Sequence, residues 1–290
     1  MNQKHQGMIC IILSAFSFAL MNVFVRMAGD VPSMQKSFFR NLLCFFFALA
    51  IMKKQHVGFS GKKENIGALL ARSVFGTIGI LCNFYAVDHM VLADASMLNK
   101  MSPFFAILFS FLLLKEKIKP VQLIAVIGAF LGSLLIIKPT GIGMARIPAL
   151  IGLCGGLGAG VAYTFVRVLS TRGEKGPFIV CFFSGFSTLC LLPVMLVSYT
   201  PMSGRQLACL LLAGLAACGG QFGITAAYFH APAREISIFD YSQIVFSAVF
   251  GFFLFGQIPD GYSFLGYVIV CGMALWMFFY QQREARREFK

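Results

Sequence analysis

Residues 106–114 read Ala-Ile-Leu-Phe-Ser-Phe-Leu-Leu-Leu, apolar at almost every position, with no alternation of apolar and polar side chains. A membrane barrel strand would alternate over about ten residues. A helix in lipid is apolar on successive positions and needs about twenty of them to cross the hydrocarbon. The stretch belongs to a longer apolar block, about 91–114. Similar blocks occur at about 8–28, 34–52, 66–87, 120–138, 147–169, 178–198, 206–229, 236–256 and 262–280. Backbone in lipid must satisfy its own hydrogen bonds, so each block is expected to be a helix. The chain reads as an all-α polytopic membrane protein with ten transmembrane helices. Apart from about 53–65, the connections are only a few residues long and leave no room for an extramembrane domain.

Composition agrees. Of the 290 residues, 58% are hydrophobic and 12% charged, whereas a soluble domain is about half apolar and a quarter charged. Too little polar surface remains to coat a soluble enzyme, and too much apolar surface is present for disorder. The first block resembles a signal peptide in length. No small-residue cleavage site precedes Asn22, Arg26 and Asp30, so it is expected to be a retained first helix.

The charge is lopsided, with 24 Lys+Arg against 11 Asp+Glu, a formal +13. Assigning the connections to alternate sides separates most of it. Lys4, Lys53, Lys54, Lys62, Lys63, Lys115, Lys117, Lys119, Arg172, Lys175, Arg234, Arg283, Arg286, Arg287 and Lys290 fall on one side, and Lys36, Lys138, Arg146 and Arg205 on the other. Cytoplasmic loops carry the basic excess, which places both termini in the cytoplasm of a cell (plasma or inner) membrane. A nucleic-acid surface would need one basic face with stacking aromatics, and none is expected. The nine cysteines all lie in apolar blocks without a C-x-x-C pair. They read as small buried hydrophobes, with no metal site or cofactor expected.

The chain also repeats itself. Phe24-Val25-Arg26 recurs as Phe165-Val166-Arg167, and the same offset lays Ser96 on Ser237, Asn99 on Asp240 and Lys100 on Tyr241. It also lays Leu114-Lys115-Glu116 on Phe255-Gly256-Gln257, and with a two-residue adjustment pairs Tyr85 with Tyr228. Five helices per half invert the second half relative to the first, an architecture of transporters. The expected units are 1–140, 141–282 and a basic tail at 283–290.

Several segments carry a family resemblance. Phe84-Tyr85-Ala86, Leu92-Ala93-Asp94-Ala95-Ser96, Ser102-Pro103-Phe104 and Leu113-Leu114-Lys115-Glu116-Lys117 look like an EamA-type repeat of the drug/metabolite transporter superfamily. So do Phe239-Asp240-Tyr241-Ser242-Gln243 and Leu254-Phe255-Gly256-Gln257-Ile258-Pro259-Asp260. The resemblance implies a ten-helix 5+5 inverted-repeat carrier with a cavity lined by both halves. The acid at Glu116 has a neutral counterpart, Gln257.

Charged groups at membrane depth are functional candidates by default. Lys100 lies roughly 13 Å into its helix at helical rise, and Asp240 should face the centre from the other half. An ion pair joining the halves, substrate recognition and proton coupling through Asp240 are all open. Pro103 cannot donate to the Asn99 carbonyl, which frees an acceptor beside Lys100. Arg40 and Arg72 are close enough to an interface to snorkel, the reading favoured for Arg72 and more weakly for Arg40, which stays among the candidate substrate-binding residues. Arg26 and Arg167 read as interface or gate residues, and Asp94 and Glu235 as acids at helix starts. Asn22, Asn83, Gln221, Gln243, Tyr85, Tyr163, Tyr228 and Tyr241 complete the candidate cavity lining. Gly152-x3-Gly156-x3-Gly160, Gly128-x3-Gly132 and Gly219-x3-Gly223 would allow close helix approach.

These features point to a secondary transporter of a small polar metabolite, zwitterionic or amino-acid-like, working as a monomer or weak homodimer. The alternative is an exporter of cationic or aromatic drug-like compounds. Enzyme motifs and a channel-like ring of charge are missing from the sequence, and no phosphate-binding G-x-x-x-x-G-K-[ST] occurs.

Overall fold

The computed structural model describes residues 3–58, 61, 63–114, 119–137, 146–230 and 237–288. The described residues are all-helical: α1 (Gln3–Met27), α2 (Ser33–Lys54), α3 (Ile66–His89), α4 (Leu92–Asn99), α5 (Ser102–Leu114), α6 (Pro120–Ile137), α7 (Arg146–Thr171), α8 (Gly176–Val197), α9 (Gly204–His230), α10 (Ser242–Phe255) and α11 (Gly261–Glu288). Short 3-10 turns precede α3 and α10, at Lys63–Asn65 and Ser237–Tyr241. Ten segments, with α4 and α5 counted as one, are long and apolar enough to cross a membrane. Their outward faces carry large apolar side chains such as Leu13, Phe46, Ile78, Leu131, Leu189 and Phe253, the surface that lipid would cover.

Three expectations need correction. The block at 91–114 is not one helix: it breaks at Lys100–Met101. Pro103 explains the position, since it has no N–H for the preceding turn and its ring crowds that turn. The block at 236–256 opens with the 3-10 turn rather than an α-helix. The last helix continues to Glu288, beyond the apolar limit near 280.

Helix α1 packs along α9, α3 along α7, α2 along α8 and α6 along α11, while α7 also supports α4 and α5, and α10 rests on α1 and α4. Glycine permits the tightest of these contacts. A Cβ on Gly156 of α7 would run into the backbone carbonyl of Leu98, and one on Gly158 would meet the Phe75 carbonyl at 2.9 Å and Gly79 Cα at 3.1 Å. Helix α7 is thus wedged between α3 and the α4–α5 break, the close approach that small residues allow in membranes. The other two glycine stripes also sit at helix contacts, Gly128 and Gly132 against α11 and Gly219 and Gly223 against α1. The buried core, including Phe84, Met97, Leu98, Met101 and Phe104, surrounds the same break.

Candidate functional site

A central cavity of about 90 Å³ lies among the helices. Phe18 and Met21 of α1, Arg40 of α2, and Arg72, Gly76, Gly79 and Asn83 of α3 line it. Asn99 and Lys100 enter from the α4–α5 break, Tyr163 from α7 and Phe183 from α8. Gln221 and Ile224 of α9 and Gln243 of α10 close the ring.

The break in the fourth apolar segment places Lys100. Its backbone N–H still bonds to Ser96 O at 3.0 Å, so the residue finishes α4. Its carbonyl accepts a hydrogen bond from Tyr241 Oη at 3.2 Å. The ammonium meets Asp240 Oδ2 at 2.5 Å, with the two side chains 8% and 15% exposed. The other carboxylate oxygen, Oδ1, is buried without a partner. The sequence expectation that these two groups could pair across the chain is therefore met in geometry.

Arg72 corrects the snorkelling expectation. It is only 6% exposed and lines the cavity. Its guanidinium carbon stands 4.0 Å from the centre of the Phe183 ring. Arg40, 3% exposed, stands 6.0 Å from the same ring. Arg40 Nη1 donates to Asn41 Oδ1 at 2.7 Å. The Nε atoms of both arginines and Nδ2 of Asn41 are buried without partners. Sequence reasoning had a usable signal for Arg72, because Arg72, Gly76, Gly79 and Asn83 follow helical spacing along one face. Phe183 had none, being one of 33 phenylalanines.

A line of uncharged polar groups runs beside the cavity. Asn83 Nδ2 donates to Asn22 Oδ1 at 3.3 Å, and Asn22 Nδ2 donates to Ser96 Oγ at 3.4 Å. Ser96 in turn shares a 2.7 Å hydrogen bond with Ser247. Asn22 itself is buried but outside the lining. Tyr241 also lies outside the lining and works through its bond to the Lys100 carbonyl. Tyr85 stacks on His89 at 4.2 Å and does not line the cavity. Tyr163 does line it, with 45% of its surface exposed. The Tyr228 side chain, Glu116 and Glu235 lie outside the described residues.

One end of the bundle is tied by Lys36 and by Arg26, which the sequence reading places at an interface or gate. Lys36, assigned to a loop side, is 1% exposed and bonds both oxygens of Asp88 at 2.6 and 2.7 Å. Arg26 donates to the carbonyls of Val87 and Met90 at 3.1 and 2.6 Å and lies 5.1 Å from the Phe255 ring centre. This anchors the end of α3 to α1 and α10. Arg167, by contrast, is exposed. Gly256, at φ +62°, closes α10 in the left-handed conformation, with Gln257 N–H bonding to Gly251 O at 2.9 Å. That turn is open to glycine because it has no Cβ. It aims the Gln257 amide oxygen at the first N–H of α4, Leu92, at 3.0 Å. The neutral counterpart of Glu116 therefore caps a helix without a charge. Asp94 sits in the first turn of α4, but it also accepts a short hydrogen bond from Tyr267 of α11. It is buried, more fully than the half-buried Asp240.

Comparison with known proteins agrees with this architecture. Residues 5–138 match the EamA-like transporter family. The chain is 33% identical to the pseudopaline exporter CntI of Pseudomonas aeruginosa, over 91% of this chain and 93% of that one. It is 27% identical to a riboflavin transporter of Rhizobium johnstonii, over 98% and 93% of the two chains. It is 26% identical to solute carrier family 35 member G1 of Homo sapiens, over 91% and 76%. A crystal structure 14% identical in sequence shares the fold over 93% of this chain and 96% of that one, with a TM-score of 0.63. The chain belongs to the EamA-like transporter family.

Proposed function

We propose that this EamA-like transporter is a secondary carrier, moving a small polar metabolite through the central cavity by alternating access between two inverted five-helix repeats. The observation that carries the reading is the Lys100–Asp240 pair, one partner from each expected half, at the edge of the cavity. A buried pair is held strongly while intact and is costly to leave half-broken. A substrate offering both charges can exchange partners with it, coupling occupancy to the contact between halves.

The packing supports the repeat. If the ten spanning segments are numbered in order and segment n is exchanged with n+5, the pairing α1 with α9 becomes α7 with α3. Likewise α4–α5 with α7 becomes α10 with α1, and α2 with α8 and α6 with α11 map onto themselves; all of these pairings are present. At one end Gln257 of the second expected half bonds to Leu92 of the first, beside the ties of Arg26 and Lys36 that hold α1 and α2 to the end of α3 within the first half, an arrangement that fits a closed gate. With both termini cytoplasmic in the cell membrane, that end faces away from the cytoplasm. The sequence has no phosphate-binding loop, so the driving force would be a gradient, exchange or a coupled ion. Asp240, with Oδ1 unpartnered, is the candidate proton site.

A zwitterionic, amino-acid-like substrate fits a cavity carrying an ammonium, a carboxylate and amides. A second reading, export of cationic or aromatic compounds, is favoured by Tyr163 and Phe183 in the lining. Relatives are described as an exporter of pseudopaline and a transporter of riboflavin, which is consistent with small polar cargo. The test is reconstitution: saturable flux accelerated by unlabelled substrate on the far side supports a carrier, and flux linear in concentration contradicts it.

A further inference from the structure

We propose that the Arg40–Phe183–Arg72 cluster is an oxyanion site, and that the transported molecule carries more carboxylate or phosphate charge than cationic charge. The inference rests on the carrier reading above and narrows its substrate class.

Charge and unmet hydrogen bonds point to this ligand class. Three cations line the cavity: Arg40, Arg72 and Lys100. Lys100 is neutralised by Asp240 at 2.5 Å. Among the described residues, no carboxylate stands within ion-pair distance of either arginine. Both arginines are nevertheless more than nine-tenths buried as residues. Their contacts to the Phe183 face, at 4.0 and 6.0 Å, offset only part of the desolvation of two charges. Three buried N–H groups, Arg40 Nε, Arg72 Nε and Asn41 Nδ2, have no acceptor.

A buried donor without a partner is expensive; two of these belong to arginines that line the cavity, and the third, Asn41 Nδ2, lies beside Arg40 outside the lining. The group that satisfies both deficits at once is an oxyanion. A guanidinium offers paired N–H groups that match a carboxylate or phosphate edge bidentately. Phe183 lies within 4.0 Å of one guanidinium and 6.0 Å of the other, and offers an apolar surface to the carbon skeleton of an anion. The Lys100–Asp240 pair remains available for an amine and a second anion, so an amino-acid-like molecule with an additional carboxylate fits the whole lining.

The test uses the full chain in detergent, with thermal unfolding followed by labelling of its buried cysteines. Citrate, glutamate and glycerol 3-phosphate are compared with choline and glutamine at about 10 mM and matched ionic strength. At least one anion should raise the melting temperature by about 2 °C or more. Citrate and glutamate against glycerol 3-phosphate tell carboxylate from phosphate. Arg40→Gln and Arg72→Gln should each remove the rise, and Arg72→Lys should reduce it by loss of the fork. The unliganded glutamine variants should melt no lower than the native protein, since each removes an uncompensated buried charge. A rise with choline or glutamine alone, a rise with an anion that both glutamine variants retain, or no rise with any of the five overturns the proposal. Flux separates this from the carrier reading. Saturable counterflow of choline or glutamine would keep the carrier and overturn the oxyanion site. An anion that stabilises but is not transported would keep the site and overturn the carrier.

Discussion

The ammonium of Lys100 lies 2.5 Å from the carboxylate of Asp240, although 140 residues separate them in sequence. Two structural events make the meeting possible. Pro103 ends α4 where Lys100 begins to leave the helix, and the 3-10 turn at Ser237–Tyr241 brings Asp240 to the same depth. Removing one partner leaves the other charge buried, so Lys100→Met or Asp240→Asn should each lower stability by about 2–3 kcal/mol. The double variant should recover most of that loss and still fail to transport. Thermal unfolding beside flux measurements checks this; a double variant with normal flux would reduce the pair to a structural contact.

Lys36 and Asp88 make the contrasting case. Their pair is also buried but lies outside the cavity lining. Asp88→Asn should destabilise by about 3 kcal/mol, because Lys36 loses its counter-charge. Lys36→Met combined with Asp88→Asn should restore stability and leave equilibrium ligand binding unchanged, measurable by thermal unfolding with and without ligand. Loss of binding in a stable double variant would move this pair into the site.

Gly156 faces the Leu98 carbonyl with no room for a Cβ. Gly156→Ala should cost about 1–3 kcal/mol, as overpacking does in a close-packed interior. Gly261, with open space around it, serves as the control: Gly261→Ala should leave the melting temperature nearly unchanged. Equal effects at the two positions would contradict the wedge between α7 and the α4–α5 break.

Asp240 carries the proposed proton coupling, which asparagine cannot support because its amide does not titrate. In proteoliposomes with an imposed pH gradient, Asp240→Asn should abolish the gradient-driven component of uptake while leaving exchange measurable. Unchanged pH dependence would exclude Asp240 as the coupling group.

Fold and site were legible to different depths. The ten apolar blocks predicted the spanning segments closely, because lipid imposes length and composition together and short connections leave little freedom. The Lys100–Asp240 meeting could be anticipated because a charge deep in an apolar block is conspicuous and the 141-residue offset aligned the two segments. Lys36 was misread because a basic residue three positions into α2 looks like an interface charge; its burial comes from Asp88 on another helix, a tertiary fact. Arg72 was misread for the same reason, since its distance from the helix end permits snorkelling and only the neighbouring α8, through Phe183, turns it inward. Phe183 itself was invisible among so many phenylalanines. The break at Lys100–Met101 was announced by Pro103 as a free carbonyl, yet the size of the interruption depends on α7 glycines that give the displaced backbone its seat.

The most direct measurement is counterflow by the purified chain in proteoliposomes, using a labelled compound that raises its melting temperature. The account predicts saturable uptake accelerated by the same compound trapped inside, and loss of that uptake in Lys100→Met/Asp240→Asn, the double variant that retains the fold. Uptake that rises linearly with concentration and ignores the trapped compound, or that survives in the double variant, would contradict a carrier working through this cavity.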